Sequence, residues 1–376
     1  MTTTNPYWNW QQPDWPTFTY QPEKLATLEG EFLKLAGLSL GMAIHLSTDD
    51  KAELVVQLIS NEAVKTAEIE GEWLDRASIQ SSIKRQFGYA IPPATKIIPQ
   101  EQGMVDMMMS LYHQFADPLT HETLYQWHTL LMSGRTDIAT IGAYRTHADP
   151  MQVVSGYLQK PKIHFEAPPS ESMHTEMEAF VTWFNQTHPK MGQTPCSPLV
   201  RASIAHLWFI SIHPFEDGNG RIARALVEKV LAQALEKPTL IALSQVIQDN
   251  RKAYYDELER QNKHNSIDGW LTYFSAVILE AQRFSIAQID FVIAKAKCLE
   301  QHRNLFNARQ LKTMLRIFEA GIKGFEGGLS AKNYMAITQT SASTATRDLQ
   351  ELVTWGVLHP TGERKSARYY FRGANQ

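Results

Sequence analysis

Twelve consecutive residues constrain this chain more than any other stretch: His213-Pro214-Phe215-Glu216-Asp217-Gly218-Asn219-Gly220-Arg221-Ile222-Ala223-Arg224. They follow an apolar run ending in Phe209-Ile210-Ser211-Ile212 and lead into a helical run, Ala223 to Leu235. Gly218-Asn219-Gly220 at the mouth of a helix presents several backbone N–H groups together, an arrangement that holds phosphate oxygens. Arg221 and Arg224, three apart, project from one face of the first turn. Two guanidiniums at the positive end of a helix are unfavourable unless an anion meets them. That is the signature of a phosphate site.

The stretch fills every position of His-Pro-Phe-x-Asp-Gly-Asn-Gly-Arg-x-x-Arg, and so resembles the signature of the Fic (filamentation-induced-by-cAMP) family. The resemblance implies an all-helical enzyme; most such enzymes transfer AMP from ATP to a hydroxyl side chain of a target protein. It implies that His213 takes the hydroxyl proton, a role imidazole suits near neutral pH. Asp217 is then the Mg²⁺ ligand, an oxygen donor for a hard ion. Backbone groups around Gly218, Asn219 and Gly220, with the Asn219 side chain, bind ATP phosphates, and Arg221 and Arg224 grip the outer two. Phe215 is expected to anchor the loop in the core. Doc-type relatives phosphorylate instead and carry Lys where this chain has Gly220, which argues against kinase action.

At 376 residues the chain has room for two or three domains. The net charge of -3 selects no partner class, but it is unevenly spread: residues 309–376 hold ten Lys/Arg against five Asp/Glu. Cys196 and Cys298 are the two cysteines, far apart, so neither a disulfide framework nor a cysteine zinc site is expected. The start of the chain has no basic stretch followed by an apolar core, and no apolar run reaches the ~20 residues that span a bilayer. A cytoplasmic protein without membrane partners is the expectation.

The opening, Tyr7-Trp8-Asn9-Trp10-Gln11-Gln12-Pro13-Asp14-Trp15-Pro16-Thr17, is too aromatic for a loose tail and is expected to fold back over a hydrophobic surface. It resembles the Trp-rich start of a small domain found ahead of some Fic domains. Pro22 to about Leu38 is helical, with Leu25, Leu28, Phe32 and Leu35 on one stripe. A second helix starts at Ser47 or Thr48 and stops at Gly71. Its end reads Thr66-Ala67-Glu68-Ile69-Glu70-Gly71, which places Glu70 at the negative end of the helix, in need of a cation. Thr66, Glu70 and Gly71 resemble the Fic inhibitory motif, [Ser/Thr]-x-x-x-Glu-[Gly/Asn]. The resemblance implies that Glu70 pairs with Arg224 and blocks the seat of the γ-phosphate. Asp75 caps a further helix ending near Gly88, and Ala90-Ile91-Pro92-Pro93-Ala94 reads as the connection into the next domain.

Residues 151–169 break the helical period and read as two strands, an edge that accepts an incoming strand. In Fic enzymes this hairpin is the flap that holds the target protein. Ser197-Pro198 reads as an N-cap followed by proline at the first helical position. Tyr254, Tyr255, Leu258 and Asn262 resemble the family positions that enclose the adenosine. The tail reads as a winged helix, with Ser343–Trp355 as recognition helix and Arg364–Arg368 as wing, which makes DNA contact through 310–371 one expectation and protein interaction or homodimerisation the other.

The expected fold is mainly α: an N-terminal helical domain (1–95), a Fic-type helical domain with a β-hairpin flap (96–300) and a C-terminal winged helix-turn-helix domain (301–376). The expected function is adenylyl transfer restrained by Glu70. Removal of AMP at the same site, with Glu70 positioning a water, and DNA-binding regulation through the tail stand as alternatives.

Overall fold

The computed structural model describes residues 8–89, 97–156, 161–322, 324–325, 327–363 and 366–373. Tyr7, the expected connection at Ala90–Ala94, residues 157–160, and Arg364 and Lys365 of the expected wing lie outside the described residues. The fold is mainly helical and forms two compact units, residues up to 36 with 55–282, and 37–54 with 283–376.

The first unit is built round α7 (Pro198–Ile212), of which nearly every residue is buried. A helix apolar on all sides belongs in the middle of a helical protein. Its neighbours include α8 (Asn219–Leu235) and α6 (Met173–Gln186), and α8 in turn packs against α4 (Pro99–Gln114) and α5 (His121–Leu131). The expected cap of α7 differs in detail. Ser197 stands at the N-cap without a side-chain cap bond. Glu29 of α1 (Ala26–Ala43) instead accepts from Leu199 N at 3.0 Å and Val200 N at 3.3 Å. A carboxylate from a neighbouring element meets both the orphan N–H groups and the positive helix end. In the same way Lys229 of α8 donates to the last carbonyls of α4, Gln114 O and Phe115 O.

The second predicted helix is α2 (Thr48–Ile69), with Ser47 Oγ accepting from Asp50 N and Gly71 turning the chain at φ +83°. Leu54, Leu58 and Ala63 are buried. Helix α3 (Arg76–Gln86) starts on the Asp75 cap. The predicted hairpin is an antiparallel pair, β1 (Gln152–Ser155) and β2 (Lys162–Glu166), with one irregularity: Val153 faces Phe165 and Val154 faces Ile163, leaving His164 as the extra residue of a bulge. The stretch after residue 242 forms two helices, α9 (Leu243–Asp249) and α10 (Arg251–Gln261), and then α11 (Asp268–His302).

The Trp-rich opening does lie over a hydrophobic surface, and it joins the hairpin to α10. Trp8 packs edge-on against Phe165 with ring centroids 5.4 Å apart, and Trp10 Nε1 donates to Glu166 O at 2.6 Å. Asn9, fully buried, bonds Asn262 O through its backbone N–H and Ser211 Oγ through its amide.

The second unit contains α12 (Ala308–Glu319), α13 (Ala331–Thr338), α14 (Ala342–Thr354) and the antiparallel pair β3 (Leu358–Thr361) and β4 (Arg368–Phe371). Asp348, 1% exposed, organises it by accepting from Arg309 and from Tyr334 Oη. Arg309 is thus tied to Asp348, and Arg316 to Glu319, which engages two of the cations behind the expectation of DNA binding.

Asn9→Ala removes the bond to Ser211 and leaves that buried hydroxyl without its donor. A loss of about 1–3 kcal/mol of stability is expected, read from the urea unfolding midpoint at unchanged m-value.

Candidate active site

The site begins where α7 ends. His213 is its C-cap in a left-handed conformation, φ 52° and ψ 58°, which costs a residue other than glycine about 1–2 kcal/mol. Buried contacts around the loop hold it there. Arg145, 1% exposed, donates to His213 O, Pro168 O and Ser170 Oγ, and its backbone N–H bonds Pro214 O. Phe215 is fully buried and stacks on His128 at 4.2 Å. Glu216 accepts from Ala139 N and Thr140 N. Gly218 enters α8 at φ +81°, a conformation suited to glycine.

The Asn219 side chain departs from its expected role. It is 2% exposed and closes on the loop itself, Oδ1 accepting from Phe215 N at 3.0 Å and Nδ2 donating to Phe215 O at 2.8 Å. The loop's means of meeting an anion are therefore the backbone N–H groups of the first turn of α8, which precede any intrahelical acceptor, and the two arginines.

A cavity of about 550 Å³ opens beside this loop. It is lined by His213, Gly220 and Arg224 from the loop and α8, and by Tyr254, Tyr255, Leu258 and Asn262 from α10. Glu70, Ser211 and the hairpin residues Val153, Val154, Ser155 and His164 complete the wall. The structure thus brings the catalytic candidate and the four adenosine candidates into one space of the size that holds a small ligand. Tyr254 Oη is engaged by His206 Nε2 at 3.0 Å. Asp217, Gly218, Asn219, Arg221, Thr66 and Gly71 are not among its lining residues.

Glu70 does find its cation. Its Oε1 lies 2.6 Å from Arg224 Nη2, while Thr66 accepts from the same guanidinium through Oγ1 at 2.7 Å and its carbonyl at 3.1 Å. Gly220 makes the contact possible, because a Cβ there would collide with Glu70 Oε1. Farther up α2, Glu62 accepts from Ser244 N and Ser244 Oγ at the start of α9. Glu62, Thr66 and Glu70 are four apart and share one face of α2.

A second set of ion pairs was not legible in the sequence. Arg221, with 2% of its side chain exposed, lies 2.6 Å from Glu72 and 3.3 Å from Asp217. Arg135 reaches Asp217 at 3.0 Å, Glu72 at 3.3 Å and Asp137 at 2.7 Å. Asp217, the expected metal ligand, is thereby held between two guanidiniums. Among the described residues no group of three His, Cys, Asp or Glu side chains is placed to hold a metal ion. A single carboxylate suits Mg²⁺ nonetheless, since that ion is usually held by one or two carboxylates together with substrate phosphates.

Burial sets the protonation states. It pushes His213 down to about 4, so its imidazole is neutral near pH 7. Nδ1 lies 3.3 Å from Ile210 O, a group that only accepts, which leaves Nε2 free to take a proton. Arg224 Nη1 and Arg221 Nε are buried without a hydrogen-bond partner among the described residues. Two buried guanidiniums with orphaned donors mark a place built for more negative charge than it now holds.

Residues 118–231 match the family model described as Fic/DOC family, and residues 8–89 match one described as a domain of unknown function (DUF4172). The chain is 29% identical over 128 residues to the protein adenylyltransferase Fic of Nematostella vectensis, covering 34% of this chain and 28% of that protein. It is 24% identical over 227 residues to the protein of the same name from Drosophila ananassae, covering 59% and 40%. The chain spans about a third of the length of the curated relatives it matches. The fold resembles the crystal structure of a Fic family protein from Desulfovibrio desulfuricans, with a TM-score of 0.52 at 20% identity, covering 96% of this chain and 99% of that one. It also resembles a Fic domain containing signalling protein from Bacteroides thetaiotaomicron, with a TM-score of 0.53 at 19% identity, covering 68% and 95%.

Burial raises the Glu62 carboxyl from 4.5 to about 7. A folded pKa above the unfolded one adds stability at low pH that is lost as pH rises through about 7. Glu62→Gln, which keeps an acceptor for Ser244 without the charge, is expected to match wild type near pH 5. Above pH 7 it should be the more stable by roughly 2–3 kcal/mol, read from urea unfolding at the two pH values.

Proposed function

We propose that this chain, whose residues 118–231 match the Fic/DOC family model, acts as a Fic enzyme that transfers AMP from ATP to a hydroxyl side chain of a target protein and is restrained by Glu70. The observation that carries the reading is the Glu70 carboxylate seated on Arg224 inside the cavity that His213 shares with Tyr254, Tyr255, Leu258 and Asn262. A carboxylate there stands where a terminal phosphate would meet the same guanidinium.

In the active arrangement Glu70 withdraws and the triphosphate lies along the first turn of α8. Its charge meets the N–H groups of that turn, Arg221 and Arg224. The adenosine lies against α10. The target, paired with the hairpin edge, presents its hydroxyl to His213 Nε2, which removes the proton as oxygen bonds the α-phosphorus and pyrophosphate leaves. Asp217 would hold Mg²⁺, which offsets phosphate charge when bound. Reaching that state requires Asp217 to leave Arg135, so Glu72 and Arg135 act with Glu70 as a second restraint.

Labelling of an extract with ATP carrying its label on the α-phosphate tests the proposal. Wild type should label weakly, Glu70→Gly at least about tenfold more strongly, a change equivalent to about 1.4 kcal/mol, and His213→Ala not at all. Equal labelling by wild type and Glu70→Gly would remove the inhibitory role. Incorporation from the γ-phosphate alone would replace adenylyl transfer with phosphorylation. In the Glu70→Gly background, Glu72→Ala should tighten ATP binding severalfold, about 0.5–1 kcal/mol, by titration calorimetry.

A further inference from the structure

The second unit carries a surface that the proposed chemistry does not use. Helices α13 and α14 pack on each other and are joined by three residues, Gln339, Thr340 and Ser341. Gln339 ends α13 in a left-handed conformation, φ 52° and ψ 47°, and Ser341 opens α14 with its Oγ accepting from Thr344 N. Two helices broken by so short a turn form a helix-turn-helix. Beside them, Leu329 and Tyr369 exchange backbone hydrogen bonds at 3.0 and 2.9 Å, which ties the start of α13 to the β3–β4 pair. Ala345, Leu349 and Leu352 of α14 join Tyr334 and Met314 in the core of this unit. The opposite face of α14 is left in solvent.

That face consists of Ser343, Thr346, Arg347, Gln350 and Thr354, all exposed. Soluble surfaces ordinarily intersperse charges of both signs. Here one sign is withdrawn. From Leu329 to Gly356 the chain has two carboxylates, Asp348 and Glu351. Asp348 is buried against Arg309 and Tyr334, and the half-buried Glu351 accepts from Gln310 Nε2 at 2.8 Å. Arg309 thus serves as the counter-ion of Asp348, and the fully exposed charges of α13 and α14 are Lys332 and Arg347, both positive. Hydroxyls, an amide and two cations, with no carboxylate among them, suit a polyanion whose edges also donate and accept hydrogen bonds. A protein partner fits less well, since protein interfaces favour aromatic residues and Met and are depleted in Ser and Ala. Ala342, Ser343 and Thr346, which α14 presents at its start, are small enough to let the helix approach a groove closely.

We propose that this face binds duplex DNA, with α14 in the major groove. That groove, about 12 Å wide, admits an α-helix. Arg347 and Gln350, three apart on the exposed face, meet base edges, where a guanidinium pairs with guanine and a carboxamide with adenine. Lys332 on α13, and Ser343 at the start of α14, meet phosphate oxygens and set the register. The inference stands apart from adenylyl transfer, because it needs neither ATP nor His213.

Fluorescence anisotropy of the full chain with a pool of random-sequence duplexes, followed by selection of the bound sequences, tests this. Binding that weakens steeply as salt rises is expected, together with enrichment of a short preferred sequence. Arg347→Ala should weaken binding to the selected duplex about tenfold and relax the preference at one base pair. Lys332→Gln should weaken selected and unselected duplexes alike and flatten the salt dependence. Gln350→Glu, which sets a carboxylate against the phosphates, should weaken both by at least about tenfold. All three side chains are exposed, so the urea unfolding midpoint should stay at its wild-type value. His213→Ala should bind DNA as wild type does. Failure of the wild-type chain to bind any duplex at low salt overturns the proposal. Binding that all three substitutions leave unchanged overturns α14 as the reading helix. Copies of the chain that associate in sedimentation without DNA, and separate in Gln350→Glu while no duplex binds, assign the face to self-association instead.

Discussion

Arg224 is a guanidinium with 2% of its side chain exposed, near the start of a helix whose positive end disfavours it. A buried cation without a counter-charge destabilises a fold by several kcal/mol. The chain meets that demand from a distance, with Thr66 and Glu70 more than 150 residues earlier. The face of α2 that carries them also carries Glu62, which fastens the same helix to α9. Helix α2 is therefore positioned by the needs of the arginine. Any anion that satisfies Arg224 better than Glu70 does, such as the triphosphate of the proposed substrate, removes one reason for α2 to stay.

The loop between α7 and α8 owes its shape to side chains that face away from the cavity. Arg145 ties down the backbone of His213 and Pro214, Glu216 is held by two N–H groups of the 139–140 segment, and Phe215 is clasped by His128. Asn219 closes the turn. A left-handed His213 persists because these contacts over-determine it. The exposed face of the loop is then left to its backbone and its two arginines.

How much could be read from the sequence depended on whether the signal was local. The signature and the Thr66–Glu70 spacing are short patterns on single elements, so the pairing of Glu70 with Arg224 was legible. The hairpin broke the helical period and was legible too. Glu72 was not, because its partners Arg221 and Arg135 come from two separate later segments and a lone glutamate after a helix carries no pattern. The inward turn of the Asn219 side chain was not legible, since an amide between two glycines looks the same whether it turns outward or inward; only the packed Phe215 backbone decides. The bulge at His164 was invisible for a related reason. It depends on the register of two strands, and one residue of slip exchanges their faces.

Gly220 gives the loop one further property. The space a methyl group would take there is filled by the Glu70 carboxylate. The absent side chain thus leaves room for that carboxylate within the first turn of α8. A side chain at this position would displace the Glu70 carboxylate from its present seat. A lineage that changed this glycine would therefore alter the seat of the Glu70 carboxylate and the first turn of α8 at one stroke.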